Sequence, residues 1–368
     1  MQLCAPCLFG VEGLAADEFR SHGFENVMAE NGRVLFEGDI SLIPRANICS
    51  RIAERILIVV GRFRATTFDE LFEQVKALEW NRYLPKNAAF PVKGWSLNSA
   101  LYSVPDCQKI IKKAVVDSLQ REYHIEWFGE DGPIFPIRFS ILKDEVTIMI
   151  DTSGEGLHKR GYRAHSNDAP IKETLAAAMC AIARIKHYHT LYDPFCGSGT
   201  ILIEGAMLAN NIMPGYRRDF ICEQWDMIDK SHWQNERTRA LDIIKHNTDF
   251  HAYGSDIDKR AVELTHSNAT HFGIRKFLTL SCDDIRNFTP LTEKGTLITN
   301  PPYGERIMDV KAARELYQTM GVLFEAKKGW SYNIISPDEE FEKIYGRKAR
   351  KRRKLYNGMI QCTYYSYF

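Results

Sequence analysis

Over the first 60 residues, apolar and polar positions alternate in short blocks. An apolar opening, a helix-like stretch over 11–22 ended by Gly23, a strand-like Arg33–Glu37 and an apolar run over 56–60 predict a small α+β unit. Thr67 and Glu70 stand at capping-box spacing and begin a helix. Residues 90–93 read as extended. Residues 105–119 read as an amphipathic helix carrying Lys109, Lys112 and Lys113 at i, i+3 and i+4 on one face. A strand over 145–151 leads into a polar, glycine-bearing stretch, 152–168, which reads as a domain boundary.

Beyond the boundary the rhythm changes. Helices are predicted at 171–186, 200–208, 259–272 (stopped by Gly273) and near 312–326, and strands at 190–192, 252–255, 278–281, 296–299 and 332–336. That alternation predicts an α/β fold with a mostly parallel sheet, helices on both faces and ligands beyond the carboxyl ends of the strands. Residues 355–360 contain Asn357-Gly358 between apolar positions and read as a hairpin. The pattern divides the chain into 1–65, 66–155 and 156–368.

Composition narrows the class. Apolar residues make up 45% of the chain, yet no run approaches the ~18 uninterrupted apolar residues of a membrane span. The N-terminus lacks the basic-then-apolar pattern of a secretion signal. Nine scattered cysteines, an odd number, argue for reduced thiols and a cytoplasmic protein. Cys4 and Cys7 have no second Cys or His pair at ligand spacing and read as small apolar residues in a first strand, so no metal is expected. The net charge of +1 hides a basic tail, since residues 346–368 carry seven Lys and Arg and no acid. Arg350, Arg352 and Arg353 in that run are candidate phosphate contacts. The hairpin reading makes the run enter a strand on the side opposite the ligand crevice.

Two segments carry the chemistry. Asp193-Pro194-Phe195-Cys196-Gly197-Ser198-Gly199-Thr200 follows a strand and opens a helix. Its glycines let backbone approach a ligand closely, and the helix N-terminus can receive a carboxylate. A nicotinamide site places its ribose acid about 20 residues on. Here the next strand-end acid, Asp256 beside Ile257, lies 63 positions after Asp193, so an insertion intervenes. Its residues 215–220 and Trp225 are expected to wall a substrate cleft. Asp256 is placed to accept ribose hydroxyls, and Asp283, after the third strand, to accept from an adenine amine. Cys196 reads as packing. The second segment, Asn300-Pro301-Pro302-Tyr303, offers an amide, a proline carbonyl and an aromatic face to a planar amine.

Together these segments resemble those of class I S-adenosylmethionine-dependent methyltransferases with a Rossmann-like domain. The likeness extends through Leu157-His158-Lys159-Arg160-Gly161-Tyr162-Arg163, through Ala169-Pro170-Ile171-Lys172-Glu173-Thr174-Leu175, and upstream through Phe90-Pro91-Val92-Lys93-Gly94 and Gln108-Lys109-Ile110-Ile111-Lys112-Lys113. It covers nearly the whole chain. In these segments the chain is similar to the THUMP-containing RNA guanine-N2 methyltransferases, whose bacterial members modify large-subunit (23S) ribosomal RNA.

The resemblance implies a ferredoxin-like unit at 1–65, a THUMP RNA-binding domain at 66–155 and a methyltransferase domain at 156–368. Some members carry a second methyltransferase domain; this chain would have only the first activity. S-adenosyl-L-methionine is the implied cofactor, held by Asp193, Phe195, Gly197, Gly199, Thr200, Asp256, Ile257, Asp283, Asp284 and Asn300. Asn300, Pro301 and Tyr303 would position the accepting amine. RNA is the implied partner, met by Lys109, Lys112, Lys113, Arg160, Arg163 and the basic tail. Two other readings stay open: an amino-methyltransferase acting on adenine N6 or cytosine N4 of DNA or on a protein amide, and a non-catalytic RNA-binding assembly factor.

Overall fold

Two seven-stranded sheets divide the chain in a computed structural model that describes residues 1–163, 170–303 and 309–368. The first half runs β1 (Gln2–Pro6), α1 (Glu12–Ser21), β2 (Glu25–Glu30), β3 (Arg33–Glu37), α2 (Ile43–Cys49), β4 (Leu57–Arg64), α3 (Phe68–Lys76), β5 (Val92–Leu97), α4 (Val104–Tyr123), β6 (Ile137–Leu142) and β7 (Glu145–Asp151). Its strand order is β2-β3-β1-β4-β7-β6-β5. Because β4 pairs with both β1 and β7, the divide drawn near residue 65 falls within one continuous sheet. α3 starts as its sequence demands: the Thr67 hydroxyl accepts from the Glu70 N–H and the Glu70 carboxylate from the Thr67 N–H, both at 3.2 Å.

The second half runs α5 (Glu173–Ile182), β8 (Thr190–Asp193), α6 (Thr200–Ala209), α7 (Lys230–Asp242), β9 (His251–Asp256), α8 (Lys259–Phe272), β10 (Leu278–Cys282), β11 (Gly295–Thr299), α9 (Val310–Leu323), β12 (Trp330–Ser336), α10 (Phe341–Tyr345), β13 (Lys351–Asn357) and β14 (Ile360–Tyr367). The order is β10-β9-β8-β11-β12-β14-β13. The first five of these are parallel, and β14 is antiparallel to both neighbours. From β8 the chain builds outward through β9 and β10, then returns to lay β11 on the other side. The switch point therefore lies between β8 and β11, where a ligand crevice is expected beyond Asp193 and Thr299. β13 points the same way as the parallel strands. Its basic start lies at the end opposite that crevice, and Asn357 arrives at the crevice end.

The insertion between α6 and β9 does not wall a cleft. Trp225 is 1% exposed and stacks on Phe135 of the first half, with ring centroids 4.3 Å apart. Its Nε1 donates to the Ile134 carbonyl at 3.0 Å. The Gly215 N–H donates to Ile48 O at 2.9 Å, and Arg45 pairs with Glu236 at 2.6 Å. The Arg218 guanidinium donates to the carbonyls of Glu155, Gly156 and Lys159. Large aromatic surface is best satisfied away from water, so the insertion cements the halves together. A second join lies at the free edge of β13. Gly10 lies so close to that edge that an added Cβ would meet the Lys354 carbonyl oxygen at 2.3 Å, and Phe9 meets Tyr356 edge-on at 6.0 Å. The expected boundary at 152–168 lies outside the described residues over its last five positions.

Candidate active site

After β8 the chain turns through Gly197 at φ 53° and Gly199 at φ 80° into α6. These left-handed angles favour glycine, and a Cβ at Gly199 would stand 2.6 Å from the Thr265 methyl. α8 holds the loop from behind: the Thr265 hydroxyl donates to Gly197 O at 2.8 Å and the Asn268 amide to Ser198 O at 3.0 Å. Asp193 works beneath the loop. It is 1% exposed, and its Oδ1 accepts from the Phe195 N–H at 3.2 Å and the Thr299 hydroxyl at 2.7 Å, joining both sides of the switch point. Burial pushes its carboxyl up to about 7, against the lowering effect of those two hydrogen bonds. This is a correction to the expected ligand contact, because a carboxyl so enclosed orders the loop.

Asp256 ends β9 half-buried. Its Oδ2 accepts from the Gly197 N–H at 2.9 Å and its Oδ1 from the Asp258 N–H at 3.0 Å. Each oxygen keeps a lone pair for a hydroxyl. Ile257 beside it is 72% exposed and offers an apolar face. The Asp283 N–H donates to Asp256 O at 3.0 Å, which brings the third strand end to the second. Asp283 Oδ1 accepts from the Asp284 N–H and the Asn287 amide, while Asp284 Oδ1 accepts from the Arg286 N–H. Phe195 packs on the second core cluster from a partly buried position. Cys196 is 4% exposed, and burial raises its thiol far above the ordinary range, as expected of a packing residue.

Across the switch point, β11 delivers Asn300. Its Oδ1 is buried and, among the described residues, has no hydrogen-bond partner. Such orphans are uncommon and call for an explanation. The Pro302 carbonyl accepts from the Tyr317 hydroxyl at 3.4 Å, and the Tyr303 hydroxyl accepts from Asn357 Nδ2 at 2.5 Å. The loop is thus held from two sides, at Pro302 and at Tyr303. Asn357, Thr299, Thr265 and Asn268 were not anticipated. Thr299 adjoins the acceptor motif and the Asn-Gly turn marks Asn357, but nothing local pointed to the pair on α8.

The expected RNA-facing cations separate. Lys109 and Lys113 are exposed, whereas Lys112 lies 2.5 Å from the Glu130 carboxylate and 3.6 Å over the Phe90 ring. Arg160 is 2% exposed, ion-paired to Glu204 at 3.2 Å and donating to the Leu157 and Arg51 carbonyls. It cannot reach RNA; its charge offsets a buried glutamate. Arg163 is largely buried too, donating to the Thr200 hydroxyl at 2.6 Å and to Ile171 O at 2.8 Å. It braces the donor loop. Arg350 and Arg353 are exposed at the far end of the sheet, where Arg352 pairs with Glu342 at 2.7 Å.

A glycine loop at a switch point, acids at successive strand ends and a buried orphan amide define a class I methyltransferase. The donor residues fit S-adenosyl-L-methionine: Asp256 keeps acceptor capacity for hydroxyls, Ile257 presents an apolar face, and the cradle is too tight for a Cβ at Gly199. Residues 160–366 match the model of the RMKL-like methyltransferase domain, residues 2–57 an RlmL ferredoxin-like domain and residues 65–151 a THUMP domain. The chain belongs to the RMKL-like methyltransferase family.

A Bacillus subtilis relative named "Putative RNA methyltransferase YpsC" is 44% identical over all of this chain and 95% of its own. The Ribosomal RNA large subunit methyltransferase K/L of Shewanella loihica is 32% identical over 97% of the chain, which spans about half (51%) of that relative. The solved structure of "SMU.472, a putative methyltransferase complexed with SAH" superposes with a TM-score of 0.94 at 42% identity, covering 100% of this chain and 97% of its own. A Listeria monocytogenes structure titled "a predicted N6-adenine-specific DNA methylase" gives 0.94 at 45%, covering 100% and 96%.

Proposed function

We propose that the protein methylates the exocyclic N2 amine of a guanine in RNA, most specifically in large-subunit ribosomal RNA, and so works in the cytoplasm. The observation that carries this reading is the buried, unpartnered Asn300 Oδ1 across the switch point from the glycine cradle. Bound S-adenosylmethionine supplies an electrophilic methyl on a sulfonium. Asn300 Oδ1 and the Pro301 carbonyl each accept one amine N–H, which turns the nitrogen's remaining direction toward the donor. Tyr303, tethered by Asn357, stacks on the base. As the nitrogen–carbon bond forms, the sulfonium–methyl bond breaks, and the cationic product releases its proton to water. No general base is required, and positioning carries the rate.

A paired base cannot reach such a pocket, so the target is single-stranded or flipped. RNA is favoured over DNA by the THUMP match and by the names of the Bacillus subtilis and Shewanella loihica relatives, against the DNA methylase title of the Listeria monocytogenes structure. The test is transfer of radiolabelled methyl from S-adenosylmethionine to ribosomal RNA, to DNA and to protein. Label in RNA alone supports the reading; label in DNA alone replaces it with the adenine or cytosine alternative.

A further inference from the structure

The basic tail closes a cavity at the end of the sheet opposite the donor cradle. The cavity measures about 360 Å³ and lies between the turn after α9, the start of β12, the approach to β13 and the end of β14. That volume lies within the range of small-ligand sites, about 300–1,000 Å³. Five cations line it: Lys327, Lys328, Arg347, Lys348 and Arg350. None of the five pairs with an Asp or Glu side chain among the described residues, whereas neighbouring cations pair with Glu340 and Glu342; Arg350 donates to Phe368 O at 3.2 Å. Its floor is aromatic. Trp330 and Tyr332 lie stacked at 5.7 Å, Tyr367 adjoins them, and Phe368 stands 55% exposed beneath the Arg350 guanidinium at 4.8 Å.

Behind this lining, among the described residues, two polar atoms have no partner. The Tyr367 hydroxyl, on a residue 6% exposed, and Arg347 Nε are buried without a hydrogen-bond partner among the described residues. Arg347 spends its other nitrogens on Phe324 O and the Tyr345 hydroxyl. Cations for phosphate and an exposed ring for a base form the chemistry of single-stranded nucleic-acid binding.

We propose that this cavity is a second RNA site, holding a single-stranded segment of the RNA whose target base enters the catalytic pocket. The proposal rests on the RNA reading above. β13 connects the two ends of the domain: its seven residues, Lys351 to Asn357, span roughly 20 Å. RNA held at both ends must therefore span that distance over several nucleotides, so this site acts on substrate capture, and only for RNA long enough to reach it.

The test uses a fluorescein-labelled 12-nucleotide oligouridylate, read by anisotropy over a range of salt, and the variant Lys327→Glu/Lys328→Glu/Lys348→Glu. All three lysines are exposed, so the fold is retained, which a melting curve verifies. Expected is a loss of about tenfold in affinity near 0.1 M salt and a salt slope shallower by about 2, since each single-strand phosphate contact contributes about 0.7. Phe368→Ala should weaken binding several-fold while leaving the slope unchanged, a separation that mere loss of structure would not give. If the wild type binds and both variants match it, the cavity is not an RNA site and the RNA reading stands. If the wild type does not bind the oligouridylate, the cavity proposal falls alone, because methyl transfer to ribosomal RNA decides the RNA reading.

Discussion

Replacing Trp225 by alanine should loosen the join between the halves and leave the donor cradle intact. The indole is 1% exposed, stacked on Phe135 at 4.3 Å with 14° between planes, and bonded through Nε1 to Ile134 O. Truncating a buried tryptophan costs about 3–5 kcal/mol, and the ring pair adds about 0.5–1.5 kcal/mol of its own to such a contact. The freed Ile134 carbonyl adds little, because Ile134 is 44% exposed and water can replace the donor. Trp225→Phe keeps the stacked face and loses only the N–H, a cost of about 0.5–1.5 kcal/mol plus a small void. Urea titrations of the three proteins should therefore rank wild type, Phe and Ala in falling midpoint. Hydrogen exchange should quicken across residues 210–250 in the alanine variant, while calorimetry finds S-adenosylmethionine affinity unchanged. An unchanged urea midpoint with lost donor affinity would return Trp225 to the wall of a ligand cleft.

Asn300→Ala should depress single-turnover methyl transfer by at least about a hundredfold, in line with loss of a positioning contact, and leave donor affinity nearly intact; lost donor affinity alone would assign Asn300 to the donor. Tyr303→Phe keeps the stacking face but releases Asn357, so it should slow transfer modestly, by about the worth of one hydrogen bond, and Asn357→Ala should match it. A Tyr303→Phe variant as inactive as Tyr303→Ala would mean the hydroxyl takes part in chemistry. Asp256→Ala removes the acceptor of the Gly197 and Asp258 N–H groups as well as the ribose contact; hydrogen bonds to a charged group contribute about 1.5–3 kcal/mol, so calorimetry should show at least about a tenfold weaker donor. Burial raises Asp193 to about 7, so the folded protein holds that proton more tightly than the unfolded chain. Its stabilisation is therefore full below the unfolded value, about 4, and is lost as pH climbs through about 7. Asp193→Asn keeps an acceptor for Phe195 and Thr299 and cannot ionise, so its melting temperature relative to wild type should rise from pH 5 to pH 8; a constant difference would show that the buried carboxyl is not perturbed.

Much of this architecture is legible in the sequence because its signals are local. The Thr67 capping box, Gly273 at the end of α8, the Asn357-Gly358 turn and both chemical motifs each declare themselves within a few residues. The unread elements lack that contrast. β2 is mostly exposed and alternates weakly, and α2 is seven residues long with a proline in its first turn. The errors at the site share one cause. Arg160, Arg163 and Trp225 have the residue types of a nucleic-acid surface, yet each is claimed by a partner distant in sequence: Glu204, Thr200 and Phe135. Pairing across 37 to 90 residues leaves no local trace. Asp193 shows the same limit, since its motif marks the loop and only the Thr299 hydroxyl shows that the acid lies beneath it.

The most direct test of the account incubates the protein with large-subunit ribosomal RNA and S-adenosylmethionine carrying a carbon-13 methyl, then digests the RNA to nucleosides for mass spectrometry. One new labelled species that co-elutes with N2-methylguanosine is expected, absent when Asn300→Ala replaces the wild type. Label on adenosine or cytidine, or an equal yield from the Asn300→Ala protein, would contradict it.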